Sequence, residues 1–346
     1  MDQRIKIAIL GFGVEGKAIF NYLHRHGYSH LTVCDRDVDL KEEMPDGVSV
    51  RLGAHYMDGL DNFEVIFRSP GIKYRDPNVQ FAVEQGVDVT SSTNFFIDQC
   101  PCPIIGVTGT KGKGTTSSLI FEMLKRGGKK VFLGGNIGQS PLEFLDELKG
   151  DCLVVLELSS FQLQDLKKSP KYAVILNTTT DHLDYHVDKD EYLQAKEQML
   201  VNQGRESVTV LNKDYEYSKY YKPLVKGKLK WVSVRDAVKD GGFVEDGEIY
   251  LSRGGKKEKV AKVSEVALIG SHNLENILPA AAIARELGVD VEIIAEVVRT
   301  FKNLPYRLEM VRELKGVKFY NDSYSTTPET SMAAVDSFDE GTVLIA

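Results

Sequence analysis

Two glycine-rich stretches in this sequence carry residue types that can hold phosphate. The first, Gly11-Phe12-Gly13-Val14-Glu15-Gly16, follows the apolar run Ile5 to Leu10, and Asp35 closes the next apolar run. Glycines let backbone amides approach a diphosphate closely, and the N-terminus of a following helix favours its negative charge. The pattern fits NAD and equally any nucleotide diphosphate. The second stretch is Gly106-Val107-Thr108-Gly109-Thr110-Lys111-Gly112-Lys113-Gly114-Thr115-Thr116, opened by the buried-strand pattern Ile104 to Val107. Successive N–H groups in such a loop cradle phosphate oxygens, and Lys113 is placed to reach the terminal phosphates of ATP. Gly114 stands where a Ser or Thr hydroxyl ordinarily touches Mg²⁺, so Thr115 or a water is expected there.

Further chemistry is expected at strand ends. Glu157 closes the apolar run Cys152 to Leu156 and is followed by Leu158-Ser159-Ser160-Phe161-Gln162. A carboxylate at a strand's C-terminal edge, beside a phosphate loop, is where a Mg²⁺ ligand belongs. His182, in Leu176 to Asp184, falls at the same expected edge and could ligate a metal or act in acid–base work. Lys196, in Glu191 to Lys196, reads by itself as a solvated helix lysine. Two phosphate loops in one chain favour an enzyme that joins a nucleotide-linked substrate to ATP chemistry.

The elements that must position these residues follow a βα alternation, which predicts α/β architecture with mostly parallel sheets. Strands are expected at Ile5 to Leu10, Leu31 to Cys34, Val65 to Phe67, Ile104 to Val107, Val131-Phe132, Leu153 to Leu156 and Ala173 to Leu176. Helices are expected from about Lys17 to His26, from Asn273 to Leu287 and from Glu292 to Phe301. The part from Ser207 to Leu268 reads as β-rich, with an Asp246-Gly247 hairpin turn. A boundary is expected in the polar stretch between Thr90 and Pro103, and a hinge at Asn303-Leu304-Pro305. The expected division is a Rossmann-like domain over residues 1–93, a central P-loop domain over 94–302 and the start of a third α/β domain over 303–346. Gly341 to Ala346 reads as a strand cut off in mid-run, so the chain is expected to be part of a longer protein.

Composition narrows the class. The 346 residues include 43 Lys and Arg against 50 Asp and Glu, a net charge of −7, which argues against a general nucleic-acid binder. No apolar run approaches the ~20 residues that span a bilayer. Cys34, Cys100, Cys102 and Cys152 show no metal-site spacing and are expected to be reduced, buried small hydrophobes of a cytoplasmic protein.

Taken together, these residues resemble the Mur ligases of peptidoglycan synthesis. The matching segments are Gly11 to Gly16, Ser69 to Ile72, Gly109 to Thr116, Gly134 to Gly138, Leu156 to Gln162, Asp181-His182, Lys196, Gly270 to Asn276, Leu304 to Glu309 and Asn321 to Ser323. The resemblance implies an ATP-dependent ligase adding D-glutamate to UDP-N-acetylmuramoyl-L-alanine, acting as a monomer with ATP and two Mg²⁺ ions. It implies that Gly13, Val14, Glu15, Asp35, Arg36 and Gly71 surround the UDP, with Asn136 and Ser159 on the rest of that substrate. Glu157 and His182, with Thr115, would hold metal, and Lys196 would be carbamylated to support the second ion. Asn276, Asn273, Arg307 and Asp322 would reach ATP. Two features depart from the family pattern: Lys113-Gly114-Thr115 is more like folylpolyglutamate synthases, and Tyr324 replaces a lysine after Asn321-Asp322-Ser323. The rival readings are a folate-type ligase, an NAD-dependent dehydrogenase resting on Gly11 to Gly16, and a nucleotide-binding fragment without turnover.

Overall fold

The structure, a computed structural model, describes residues 2–45, 47–179, 185–325, 328–338 and 341–345. Strand β1 (Ile7–Leu10) is apolar and buried throughout, as suits a central strand covered on both faces. It leads to α1 (Val14–Arg25), β2 (Leu31–Asp35), β3 (Ser49–Leu52), β4 (Val65–Arg68), α2 (Pro77–Glu84), β5 (Asp88–Thr90) and α3 (Ser92–Gln99). The five strands are parallel, in the order 3-2-1-4-5. The order reverses between β1 and β4, and ligands of such open sheets bind beyond the strand ends at that switch. The polar stretch after Thr90 contains a helix. Ser91 Oγ accepts the Asn94 N–H at 3.1 Å, and Phe96 and Ile97 turn inward. A good cap and two buried side chains outweigh the polar composition there.

The chain continues through β6 (Ile104–Thr108), α4 (Lys113–Arg126), β7 (Val131–Gly135), α5 (Pro141–Phe144), β8 (Leu153–Glu157), α6 (Ser160–Leu163), β9 (Tyr172–Ile175) and α7 (Lys189–Glu197). Then come β10 (Val208–Asn212), α8 (Ser218–Tyr221), β11 (Lys228–Ser233), β12 (Gly241–Glu245), β13 (Glu248–Arg253), β14 (Lys256–Lys262), α9 (Leu274–Glu286) and α10 (Val291–Thr300). The last elements are β15 (Glu309–Leu314), β16 (Val317–Asn321) and α11 (Pro328–Val335). The described residues form two compact units, one within Met1–Thr108, Leu133–Lys171 and Thr180–Gly204, the other within Gly109–Phe132, Tyr172–Thr179 and Arg205–Ala346.

In the first unit, β6 and β8 pair in parallel from Ile104 opposite Val154 to Val107 opposite Glu157. The same offset of 50 residues sets Cys102 against Cys152, and the two form a disulfide with Cα atoms 5.5 Å apart. This corrects the expectation of four free thiols: strand register decides the pair, and the spacing of 50 residues hides it in the sequence. Cys34 is free and buried, and Cys100 is free and partly exposed.

In the second unit, β9 to β14 lie side by side in chain order. The first four are parallel, and β12, β13 and β14 form an antiparallel meander. Asp246 and Gly247, at φ +51° and +73°, make the turn between β12 and β13, as the Asp-Gly pair predicts. Helix α9 buries Ala280, Ala281, Ala282 and Ala284, small side chains that let it lie close against α4 and across β10 to β12. Strands β15 and β16 form a separate antiparallel hairpin. The strand expected at Gly341 to Ala346 is not formed over 341–345. Val343 and Ile345 are exposed, and a strand exists only where a neighbour accepts its hydrogen bonds. Among the described residues, no helix is long and apolar enough to cross a membrane.

Candidate functional site

A cleft of about 570 Å³ opens at the β1/β4 switch of the first unit, lined by Gly11 to Glu15, Asp35, Arg36, Tyr56, Met57 and Ser69 to Lys73 with Asp76. Gly11 sits at φ +87°, and a Cβ on Gly16 would lie 2.1 Å from the Gly11 carbonyl oxygen. The loop is therefore as tight as glycine permits. Ser69 Oγ donates to the Gly11 carbonyl at 2.5 Å, tying the Ser69-Pro70-Gly71 turn to it. Gly13, Val14, Arg36 and Gly71 line the cleft as expected residues. Asp35 lines it too, but its carboxylate is engaged by backbone: Oδ2 accepts the Phe12 N–H at 2.6 Å and Oδ1 accepts the Asp37 N–H at 3.0 Å. It shapes the loop in addition to facing the cleft.

Glu15 turns inward from the start of α1. Gln162 Nε2 donates to its Oε1 at 2.6 Å, and Ser92 Oγ donates to its Oε2. Burial pushes its carboxyl above the ordinary glutamate value, against the pull of those two donors. Ser159 caps α6 in a reciprocal box: its Oγ accepts the Gln162 N–H at 3.3 Å, and Gln162 Oε1 accepts the Ser159 N–H at 2.9 Å.

Glu157 ends β8 with only 6% exposure, and Asn136 Nδ2 donates to its Oε1 at 3.0 Å. Gly135, at φ +100°, brings Asn136 there, since a Cβ would meet the Glu157 carbonyl oxygen at 2.2 Å. Among the described residues Glu157 has no cationic partner. A buried carboxylate steadied by a neutral amide suits a hard divalent cation. No cluster of three metal-ligating side chains occurs among the described residues, and the expected metal residue His182 and its neighbour Asp181 lie outside them. Lys196 on α7 is 1% exposed, so it is not a solvated helix lysine. Its Nζ lies 3.4 Å from Thr108 Oγ1 and 4.5 Å from the Tyr192 ring centroid.

The phosphate loop belongs to the second unit from Gly109 onward. Gly109 and Gly112 sit at φ +153° and +83°, and Gly112 leads directly into α4, whose first residue is Lys113. Thr110 N donates to Asn177 O at 2.7 Å, Thr110 Oγ1 donates to Thr179 O at 3.0 Å and accepts the Thr179 N–H at 2.9 Å. Lys113 Nζ donates back to the carbonyls of Gly109 and Thr110 at 3.1 and 3.0 Å, which places its charge over the loop. Lys111 is exposed, while Gly114, Thr115 and Thr116 are buried in the first turn of α4.

Asn276 and Asn273 lie beneath this loop. Asn276 Oδ1 accepts Thr116 Oγ1 at 3.3 Å, its Nδ2 donates to Asn273 Oδ1 at 2.8 Å, and Asn273 Nδ2 donates to Ile269 O at 2.7 Å. A Cβ on Gly112 would meet Asn276 Oδ1 at 2.1 Å, so both asparagines brace the loop. Farther along, Asp322 Oδ1 accepts the Leu308 N–H at 2.9 Å, which holds Leu308 at φ +47°. Arg307 is exposed, its guanidinium 4.9 Å from the Tyr324 ring centroid.

Sequence reasoning passed over one network in the first unit. Arg68, at the end of β4, is 1% exposed and pairs with Asp165 at 3.0 Å. It also donates to Ile72 O at 2.5 Å, Phe161 O at 3.3 Å and Tyr185 Oη at 3.2 Å. The available signal was an arginine ending a strand that is otherwise Val65-Ile66-Phe67. Gln162, which bonds Glu15, lies in the segment Leu156 to Gln162.

Two family descriptions match the sequence: a MurD-like Mur ligase N-terminal domain over residues 5–91, and a Mur ligase middle domain over residues 107–284. The UDP-N-acetylmuramoylalanine–D-glutamate ligase of Acetivibrio thermocellus is 38% identical over 99% of this chain and 74% of its own length. The protein of the same name from Clostridium tetani is 35% identical over the same shares. Among solved structures, the UDP-N-acetylmuramate–alanine ligase of Thermotoga maritima aligns with TM-score 0.58 at 20% identity, covering 96% of this chain and 77% of that one. MurF from Acinetobacter baumannii aligns with TM-score 0.60 at 17% identity, covering 95% and 67%. Those two likenesses concern the fold.

Proposed function

Because the chain belongs to the Mur ligase family, we propose that its cleft, phosphate loop and buried Glu157 divide the work of an ATP-dependent acid–amino-acid ligase. The reaction adds D-glutamate to UDP-N-acetylmuramoyl-L-alanine in peptidoglycan synthesis, with release of ADP and phosphate. The observation that carries this reading is the pair of phosphate-shaped loops, Gly11 to Gly16 and Gly109 to Thr116, combined with relatives 35–38% identical over 99% of the chain. In this reading the protein is a cytoplasmic monomer with three functional parts, residues 1–93, 94–302 and 303–346.

A carboxylate does not react with an amine in water until it is activated. The alanyl carboxylate attacks the γ-phosphate of ATP to give an acyl phosphate and ADP. The amine of D-glutamate then adds to the acyl carbon, its nitrogen gives up a proton to solvent, and phosphate leaves from the tetrahedral intermediate. Negative charge grows on the transferring and leaving oxygens, and Lys113 with the loop amides stabilises it. Asn273 and Asn276 hold the loop in shape and border the adenine, while Arg307 and Asp322 approach ATP from the C-terminal hairpin. Gly13, Val14, Asp35, Arg36 and Gly71 hold the UDP, with Asn136 and Ser159 toward the muramoyl-alanine. Glu157, with His182 and a carbamylated Lys196, would hold Mg²⁺, two ions in all, with Thr115 a further ligand from the phosphate loop; the ions would supply charge neutralisation to the phosphoryl groups. Carbamylation turns the Lys196 ammonium, which would repel a metal, into an anionic oxygen donor.

The test is phosphate release by the full-length protein, with amino acid and UDP-sugar acceptor varied, beside calorimetry with NAD. Release that requires both D-glutamate and UDP-N-acetylmuramoyl-L-alanine is the expected result. Tight NAD binding with none of the UDP-sugar would overturn the reading.

A further inference from the structure

Glu15 lines a cleft that, on the reading above, receives a diphosphate, and its carboxyl is bonded to Ser92 and Gln162 beside that lining. We propose that binding of the UDP-linked substrate at this site is coupled to uptake of a proton by the Glu15 carboxyl. The inference rests on the functional reading for the identity of the ligand. What it adds is a carboxyl between two substrate-handling turns, and the proton that lets it stay there.

Glu15 joins α1 to α3 and α6. It is the second residue of α1 and lines the cleft beside Gly11, Gly13 and Ser69. Its hydrogen-bond partners are neutral: Ser92 on α3, and Gln162 at 2.6 Å in the cap of α6. The charged groups acting most on it are Arg68 at the end of β4 and Asp165 beyond α6, while Asp35, Arg36, Lys73 and Asp76 line the same cleft. Those two are paired with each other at 3.0 Å and act on Glu15 with opposite signs. Among the described residues no salt bridge involves Glu15, and burial raises its affinity for a proton. A diphosphate entering the same cleft adds like charge, which raises that affinity further.

The hydrogen bonds can accommodate the added proton. A protonated carboxyl needs an acceptor, and a serine hydroxyl both donates and accepts, whereas the Gln162 amide nitrogen only donates. The proton comes from solvent and adds to Oε2, and the new O–H donates to Ser92 Oγ, whose own hydrogen turns away. The Gln162 bond to Oε1 is untouched, so the Ser159–Gln162 cap behind Glu157 keeps its place. No bond between heavy atoms forms or breaks.

The experiment is calorimetric binding of UDP-N-acetylmuramoyl-L-alanine to the full-length protein, in buffers of different ionisation heat and across a range of pH. Wild type should take up close to one proton per ligand within the window between the free and bound titration of Glu15. Its Kd should weaken up to tenfold per pH unit as pH rises through that window. Glu15→Gln imitates the protonated acid, because its oxygen still accepts from Gln162 and its amide donates to Ser92. The variant should bind with no proton uptake and keep the low-pH wild-type affinity across the range. In turnover, the same pH dependence should fall on KM for the UDP-substrate and not on kcat. Binding without proton uptake in wild type, or uptake that survives in Glu15→Gln, overturns the proposal while leaving the functional reading intact. No binding of the UDP-substrate at any pH removes the functional reading itself, and the proposal with it.

Discussion

Replacing Arg68 with methionine takes away a guanidinium that is 1% exposed and sits between three segments of the first unit. The lost contacts are the ion pair to Asp165 at 3.0 Å and donations to Ile72 O, Phe161 O and Tyr185 Oη. Asp165 is itself buried, with only 3% side-chain exposure, and its Oδ1 already has no hydrogen-bond partner among the described residues. Removing one partner of a buried ion pair leaves the other charge uncompensated, at a cost of about 3–5 kcal/mol. The hydrogen bonds to carbonyls fall within that figure, since the same group supplies them. Against a typical domain stability of about 5–15 kcal/mol, this is a large fraction. Urea unfolding of wild type, Arg68→Met, Asp165→Leu and the double variant measures it. The double variant leaves no buried charge alone, so it should recover most of the loss and show strong non-additivity. A loss below about 1 kcal/mol in Arg68→Met, or simple additivity in the double variant, would refute the reasoning.

The remaining expectations concern the phosphate loop, α7 and the disulfide. Lys113→Ala should lower ATP turnover by on the order of a hundredfold or more with the circular dichroism spectrum unchanged, because its charge acts on oxygens that become more negative in the transition state. Near-normal turnover would remove Lys113 from the mechanism. Lys196→Ala should lose ligase activity in the phosphate-release assay, excess bicarbonate should not restore it, and small carboxylic acids should restore part of it; wild-type activity would return Lys196 to a packing role. Reduction of Cys102–Cys152, which closes a loop of 50 residues, should lower stability by up to about 4 kcal/mol on the chain-entropy estimate. Denaturant midpoints with and without dithiothreitol report it, and identical midpoints would show that the bond adds nothing.

Local chemistry made much of the fold legible. Ile5 to Leu10 reads as a strand because a short β-branched run leads into a glycine-rich turn, and the structure forms it over Ile7–Leu10. Asp246-Gly247 reads as a hairpin turn because few residue pairs tolerate two positive φ values. The helix ended by Gly288 reads the same way, since its φ of +83° is a glycine conformation. Helix α3 was not legible: its polar residues resemble a linker until Ser91 is seen to cap it and Phe96 to find a core. The apolar run at 341–345 failed in the opposite sense, because strand propensity without a partner strand makes no strand.

For the site, the sequence by itself determined which residue types stand at which strand ends: glycines and Lys113 in the loops, Glu157 after β8, and Glu15 and Asp35 around the first loop. Those positions follow from chain-local patterns, and local patterns are what a sequence displays. Only the tertiary structure decided what each side chain meets. It gave Asp35 to the loop backbone, joined Glu15 to Gln162 across 147 residues, buried Lys196 against Thr108 across 88, and closed Arg68 on Asp165. The register of β6 on β8 alone brought Cys102 to Cys152. Hydrogen bonds and ion pairs act over about 3–4 Å, and which distant residues come that close is set by how sheets and helices pack, which no short window of sequence records.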